Sequence, residues 1–217
     1  MGARIQALMN NFTTTGTLKP AAITNASLSN ITAIPSGVGG ALTLLSTQTA
    51  SASASLSFTT GLDSTYSSYI FKFIDIHPAT DDVNFQFQAN QSGETGFNEI
   101  ITSTVFKPFH YEDDSDYNLT YRTGADQAQG TSYQIIAESV GSDNDQTCSG
   151  YLQIFNPSST TFVKHFIAEG QTSQGSNGSG DCFVGGYINV TGSITEISFK
   201  FSSGNIDDGI IKLYGVS

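Results

Sequence analysis

The side chain most often found at the centre of nucleophilic catalysis is histidine, and the chain has three: His77, His110 and His165. His77 precedes Pro78 at the end of an apolar run. His110 sits among aromatics, and His165 alternates with Val163 and Ile167. No G-x-S-x-G, phosphate-binding loop or dinucleotide fingerprint accompanies them. They read as hydrogen-bonded or partly exposed histidines. No catalytic residue is assigned, and the expectation is a protein that is not an enzyme.

Carboxylates are the other source of chemistry, and there are 19 Asp and Glu. Glycoside hydrolysis needs only two acids at the right separation in space, which spacing in sequence does not decide. The chain has no Trp, the usual platform for a sugar ring. Asp113, Asp114 and Asp116 form one cluster of oxygen donors that could hold Ca²⁺, and Asp143-Asn144-Asp145 forms another; neither follows an EF-hand loop. Both read as solvated acidic turns. The expectation is no metal and no cofactor, with chelation leaving the melting temperature within a few degrees. Cys148 and Cys182 stand beside two apolar runs. They are two reduced, buried thiols, or a disulfide if those strand ends are neighbours. Closing that loop would contribute roughly 3–4 kcal/mol on the chain-entropy model. Two Cys without clustered His make no zinc site.

The net charge of −11, from 8 Lys and Arg against 19 acids, repels phosphate backbones and anionic membranes, so neither nucleic acid nor membrane is an expected partner. Charged residues are 12% of the chain, about half the usual share. Ser, Thr, Asn, Gln and Gly take their place, as in many secreted β proteins and virion components. No apolar run approaches the roughly 18 residues of a membrane span. The start, MGARIQALMNNF, has neither a continuous apolar region nor a small-residue cleavage site, so it does not read as a signal peptide. Gln6 stands where a myristoylation signal needs Ser or Thr. Sequons such as Asn118-Leu119-Thr120 and Asn189-Val190-Thr191 carry little weight in so Asn-, Ser- and Thr-rich a chain.

The elements that must position any site are strands. Tyr151–Phe155 and Thr161–Ala168 flank Asn156-Pro157-Ser158-Ser159-Thr160, a turn-forming run, and predict a hairpin with a five-residue loop. Tyr69–Ile76 is apolar at nearly every position and predicts a central strand buried on both faces. Val83, Phe85, Phe87 and Ala89 alternate with Asn84, Gln86, Gln88 and Asn90, the clearest period of two in the chain. Further strands are expected over Ala52–Phe58, Ile100–His110 with a disturbance at Pro108, 118–121, 133–138, Phe183–Val190, Ile194–Phe201 and Gly209–Val216. Gly185-Gly186 predicts a bulge or the close approach of another backbone. The 15 Phe and 9 Tyr are enough to fill a core. The class is all-β, an antiparallel β-sandwich of jelly-roll type spanning 41–217.

Residues 1–40 differ in kind. Ile5, Leu8, Met9 and Phe12 have the spacing of one short helical face, and Ile23, Leu28, Ile31 and Ile34 recur as single aliphatics in a Thr-, Ser- and Ala-rich stretch. This is a flexible linker or an extended arm that docks on another chain. Ordering about 35 residues costs on the order of 1–2 kcal/mol each, which a solitary arm of this composition would hardly offset.

The stretches LLSTQTASASASLSFTTGLDSTYSSYIFKF, IDIHPATDDVNFQFQ, SGYLQIFNPSSTTFVKHF and ISFKFSSGNIDDGIIKLYGV run from about Leu44 to Val216. In them the chain resembles short virion structural proteins, often tail-fibre-like, of marine tailed bacteriophages. The resemblance implies a virion protein exposed on the particle, as tail fibre, spike or capsid decoration, attached through the arm. The expected partners are further copies of itself, as a homotrimer, and another virion protein. A host surface glycan is a third candidate partner. The competing expectation, from a different class, is a carbohydrate-binding or carbohydrate-active β-sandwich. A cleft lined by two carboxylates and aromatics would favour it.

Overall fold

The computed structural model describes residues 41–217. The helical turn and docking arm expected over 1–40, with Ile5, Leu8, Met9, Phe12, Ile23, Leu28, Ile31 and Ile34, lie outside the described residues. From Ala41 onward the regular elements are all strands: β1 (Leu42–Thr49), β2 (Leu56–Phe58), β3 (Ser68–Pro78), β4 (Val83–Gln91), β5 (Ile101–Tyr111) and β6 (Tyr117–Tyr121) come first. They are followed by β7 (Gln134–Val140), β8 (Cys148–Phe155), β9 (Lys164–Gln174), β10 (Gly178–Ile188), β11 (Ile194–Phe201) and β12 (Ile206–Val216). Their pairings are antiparallel.

One sheet runs β1-β12-β3-β8-β9-β10-β5-β6 and the other β7-β4-β11-β2. They join where Val140 of β7 meets Gln174 at the end of β9, so hydrogen bonding passes almost around a barrel-like sandwich. Without β5, β6, β9 and β10 the order is β1-β12-β3-β8 facing β7-β4-β11-β2, which is that of a jelly roll. The β5–β6 hairpin is inserted between β4 and β7, and the β9–β10 hairpin between β8 and β11. Both widen the same sheet, because β9 adds to β8, β10 to β9 and β5 to β10.

Aromatic side chains fill the space between the sheets. Phe199 lies at the centre, with ring centroids 5.4 Å from Phe71, 5.9 Å from Phe85, 6.3 Å from Phe58 and 6.5 Å from Phe87. Phe73 meets Phe85 across the core at 5.3 Å, and Phe87 meets Phe166 at 5.1 Å. At roughly 1.5–3 kcal/mol per buried large apolar side chain, this cluster is the main source of stability. Buried amides fasten the long connections over it. Gln88 donates to the carbonyls of Glu99, Thr131 and Ser132, and Gln134 accepts from Ser103 and donates to the Ala125 carbonyl.

Three expectations are corrected. Strand β3 is buried on one face: Tyr69, Phe71 and Phe73 point inward, while Lys72 and Ile74 are exposed. The second sheet covers only the inner face of the first, so the apolar run reflects outer positions that stay half in solvent. The hairpin around Pro157 has a longer loop than five residues, because Thr161–Val163 are not in the strand. The Ser159 hydroxyl accepts from the amides of Thr161 and Phe162 and takes them out of the ladder. Ala52–Phe58 forms only the short β2 and a bridge from Ser53 to Ile206.

Two local readings agree with the geometry. The β5–β10 ladder skips the Pro108 position, between Phe109 and Phe106. At Gly186 an added Cβ would lie 2.6 Å from the Thr102 carbonyl oxygen and 2.7 Å from the Phe166 ring, so the strand needs a residue without a side chain there.

Candidate functional site

The outer face of β9 is built by strict alternation. Lys164, Phe166, Ala168 and Thr172 point into the protein, which leaves His165, Ile167, Glu169, Gln171 and Ser173 on the outside. The neighbouring strand β10 presents Ser179, Asp181, Phe183, Gly185 and Tyr187 on the same side, and β8 presents Tyr151. Three depressions follow one another along this face.

The first, of about 630 Å³, lies at the start of β9 between the loop 156–163 and the turn after β10, and is lined by Phe155, Asn156, Phe162, His165 and Thr191. Phe162 is 69% exposed. The Ser159 hydrogen bonds hold the loop in place, with Asn156 in the left-handed region at φ 45° and its amide donating to the Ser67 carbonyl at 2.7 Å. Beneath, the fully buried Lys164 donates to the carbonyls of Val190 and Gly192 and so fixes the turn that carries Thr191. Burial pushes the Lys164 amine below the ordinary lysine range.

The second depression, of about 310 Å³, is lined by Phe106, Phe183, Tyr151, Ile167 and Glu169, with Gly185 in its floor. A Cβ on Gly185 would meet only the Thr104 hydroxyl, at 4.0 Å, so the floor is open. Tyr151 donates to Glu169 at 3.4 Å. Asp181, which lies opposite Gln171 on the neighbouring strand, has one buried carboxylate oxygen without a hydrogen-bond partner among the described residues. Burial, and then the charge of Glu169, holds the Asp181 carboxyl above the usual aspartate range. The third depression, of about 380 Å³, lies toward the far end of β9 between His110, Glu112, Gln171, Ser173 and Ser179.

The histidines singled out by sequence are far from forming a catalytic set. His77 bonds the Gln146 carbonyl at 2.7 Å, His110 bonds Asp114 at 3.0 Å, and His165 packs its ring against Tyr187. None of them hydrogen-bonds a Ser, Thr or Cys nucleophile among the described residues. The acidic turn does not gather its carboxylates: Asp113 accepts from the Ser115 amide, Asp114 accepts from the His110 ring, and the backbone carbonyl of Asp116 accepts from the Tyr111 amide. No group of three His, Cys, Asp or Glu among the described residues is placed to hold a metal ion, so Asp113, Asp114 and Asp116 are not brought together as Ca²⁺ ligands. A further depression of about 620 Å³ beside Asp75, His77, Asn144, Asp207 and Asp208 is separate from the β9 face.

Cys148 lies opposite Thr172 and Cys182 opposite Gly170, on strands that flank β9 from its two sides. Two strand spacings put their backbones roughly 9–10 Å apart, beyond the ~7 Å reach of a disulfide. Both are free and buried. Burial raises both thiols, Cys182 to about 12.

Sequence reasoning missed the outer face because it missed half of β9 and the start of β10. The inward residues Gly170, Thr172, Gln174, Gly178 and Gly180 are small or polar and give no apolar alternation. The signal that was present is the outer series itself, His165-Ile167-Glu169-Gln171. Compared with protein-family models, with curated proteins and with solved structures, the chain matches none of them.

Proposed function

We propose that this chain is a structural protein on the surface of a bacteriophage particle, a tail fibre, spike or capsid decoration. Residues 1–40 attach it, as a homotrimer, to another particle protein, and the β domain faces outward. The observation that carries this reading is strand β1, which follows residue 40 in the chain. It pairs only with β12 among the described strands, and its Leu42, Leu44 and Leu45 are 39%, 53% and 36% exposed. A sheet edge that carries uncovered leucines invites association, and soluble domains blunt such edges. A β-bulge between Leu44 and Ser46 is its one irregularity in the pairing with β12. A neighbouring copy or particle protein laid on this edge explains both the leucines and the low charge of the segment before it.

The resemblance to phage virion proteins supports the same reading. Its stretches fall on β1 to β4, β8, the start of β9, β11 and β12, which is the jelly-roll frame apart from β7. The test is to place Leu44→Glu in the full chain, and separately to remove residues 1–40. Sedimentation and binding to particles that lack the protein are then measured. Loss of trimer or of attachment with an unchanged melting temperature is expected. Undiminished attachment of both variants overturns the proposal.

A second reading, that the domain binds host surface glycans without hydrolysing them, is favoured by the aromatic and carboxylate-lined depressions along β9. Incubation with host surface polysaccharide is expected to show binding and to release no reducing ends.

A further inference from the structure

We propose that the outer face of β9, with its flanking strands β8 and β10, is a binding track for a linear, neutral glycan. This rests on the glycan reading and names its site and ligand class.

The track is long and continuous. From His165 to Ser173 the strand covers roughly 27 Å at about 3.4 Å per residue, and the three depressions are lined by successive β9 residues, His165, then Ile167 and Glu169, then Gln171 and Ser173. A compact ligand would fill one depression, whereas a polymer fills the row. It lies on the strands inserted into the jelly roll, so the frame holds it rigid without contributing most of its surface.

The chemistry selects the occupant. Apolar C–H faces of pyranose rings stack on aromatic faces, and Phe162, the Phe106–Phe183 pair and Tyr151 supply such faces in the first two depressions. Sugar hydroxyls donate to carboxylates and exchange hydrogen bonds with amides and hydroxyls. Glu169 supplies these beside the rings of the second depression, and Gln171, Ser173 and Ser179 supply them beyond it in the third. No Lys or Arg is among the outward residues of β9 and β10, and two carboxylates occupy the middle, so an anionic polymer is repelled. An extended peptide binds a sheet best by adding a strand, but both edges of β9 are already paired, to β8 and β10. A second copy of this chain, with a net charge of −11, would bring like charge to an acidic face.

The experiment titrates the full chain by calorimetry with neutral linear gluco- and galacto-oligosaccharides from disaccharide to octasaccharide, and with polygalacturonate as the anionic comparison. Affinity is expected to rise with length until the row is filled and then to level off, with polygalacturonate weaker. Phe162→Ala and Phe183→Ala, at different depressions, are each expected to weaken the longest oligosaccharide on the order of tenfold. Gly185→Ile, which fills the open floor, is expected to abolish binding. Ile74→Ala, beside the separate depression at Asp75, is the control. Thermal unfolding confirms that each variant is folded. Binding that is length-dependent but indifferent to all three track variants leaves the glycan reading standing and overturns the track. Binding saturated by a disaccharide also overturns it. Absence of binding to any neutral glycan, or self-association lost in Phe183→Ala, overturns both.

Discussion

Phe106 and Phe183 face each other in register across β5 and β10, their rings 5.0 Å apart and within 8° of parallel, on the outside of the sheet. Phe106 remains 46% exposed in this arrangement. Such a pair contributes about 0.5–1.5 kcal/mol beyond its burial, far less than the same ring would in the core. At that separation parallel rings are stacked with an offset, so each shields part of one face of the other, and the platform is the surface they leave uncovered.

The two aromatic populations should separate by substitution. Phe199→Ala removes the ring at the centre of the core and is expected to cost about 3–5 kcal/mol. Phe183→Ala removes a partly buried ring and is expected to cost less, about 1–3 kcal/mol. Chemical denaturation measures both. Equal losses would mean that the outer pair is a second core and would remove its claim to be a platform.

Glu138 holds two elements to β7 from a buried position. It accepts from Arg122 through both oxygens at 2.8 and 3.1 Å, and it lies 3.8 Å from the Lys107 amine, which is 5% exposed. Burial pushes the Lys107 amine down, while the carboxylate opposes that shift. Glu138→Ala strands a buried cation and is expected to cost roughly 3–5 kcal/mol. Adding Lys107→Met should recover part of that loss. A single-variant cost below about 1 kcal/mol, read by urea denaturation, would contradict this account.

Asp181 offers a pH test. Its carboxyl sits above its ordinary value of 3.8 in the folded protein, so just above pH 3.8 the folded chain holds a proton that the unfolded chain has lost. Stability therefore falls as pH rises through that window, and the buried charge remains unfavourable above it. Asp181→Asn removes the charge. The variant should melt higher than the parent at pH 7, and the difference should close below pH 4. A variant less stable at pH 7 would show that the carboxylate has a stabilising partner.

The thiols should be inert while the protein is folded. Cys148 and Cys182 are buried, raised by burial, and separated by β9. Ellman's reagent at pH 8 is expected to modify neither until denaturant is added, and reductant should leave the melting temperature unchanged. Modification of the native protein, or a melting temperature that falls with reductant, would disprove the separation.

The class of fold and much of its core are legible in local residue patterns. Period-two aromatics such as Phe85 and Phe87 turn one face of a strand inward wherever they occur, and Pro157 with its Ser and Thr neighbours breaks a strand locally. These are short-range effects of side-chain size and backbone freedom, readable without knowing what lies opposite. The tertiary structure decided which faces are outer. Tyr69–Ile76 is apolar throughout, yet Ile74 is exposed, because the second sheet covers only one side. It decided that Gly170, Thr172 and Gln174 are inward in a strand without being hydrophobic: Gly170 lies against Ile136 and Ala137 of β7, and Gln174 pairs with Val140 of the same strand. The separation of Cys148 from Cys182 and the meeting of Phe106 with Phe183 were settled the same way. Each depends on which strand lies between or beside them, a choice made by pairing residues far apart in the chain.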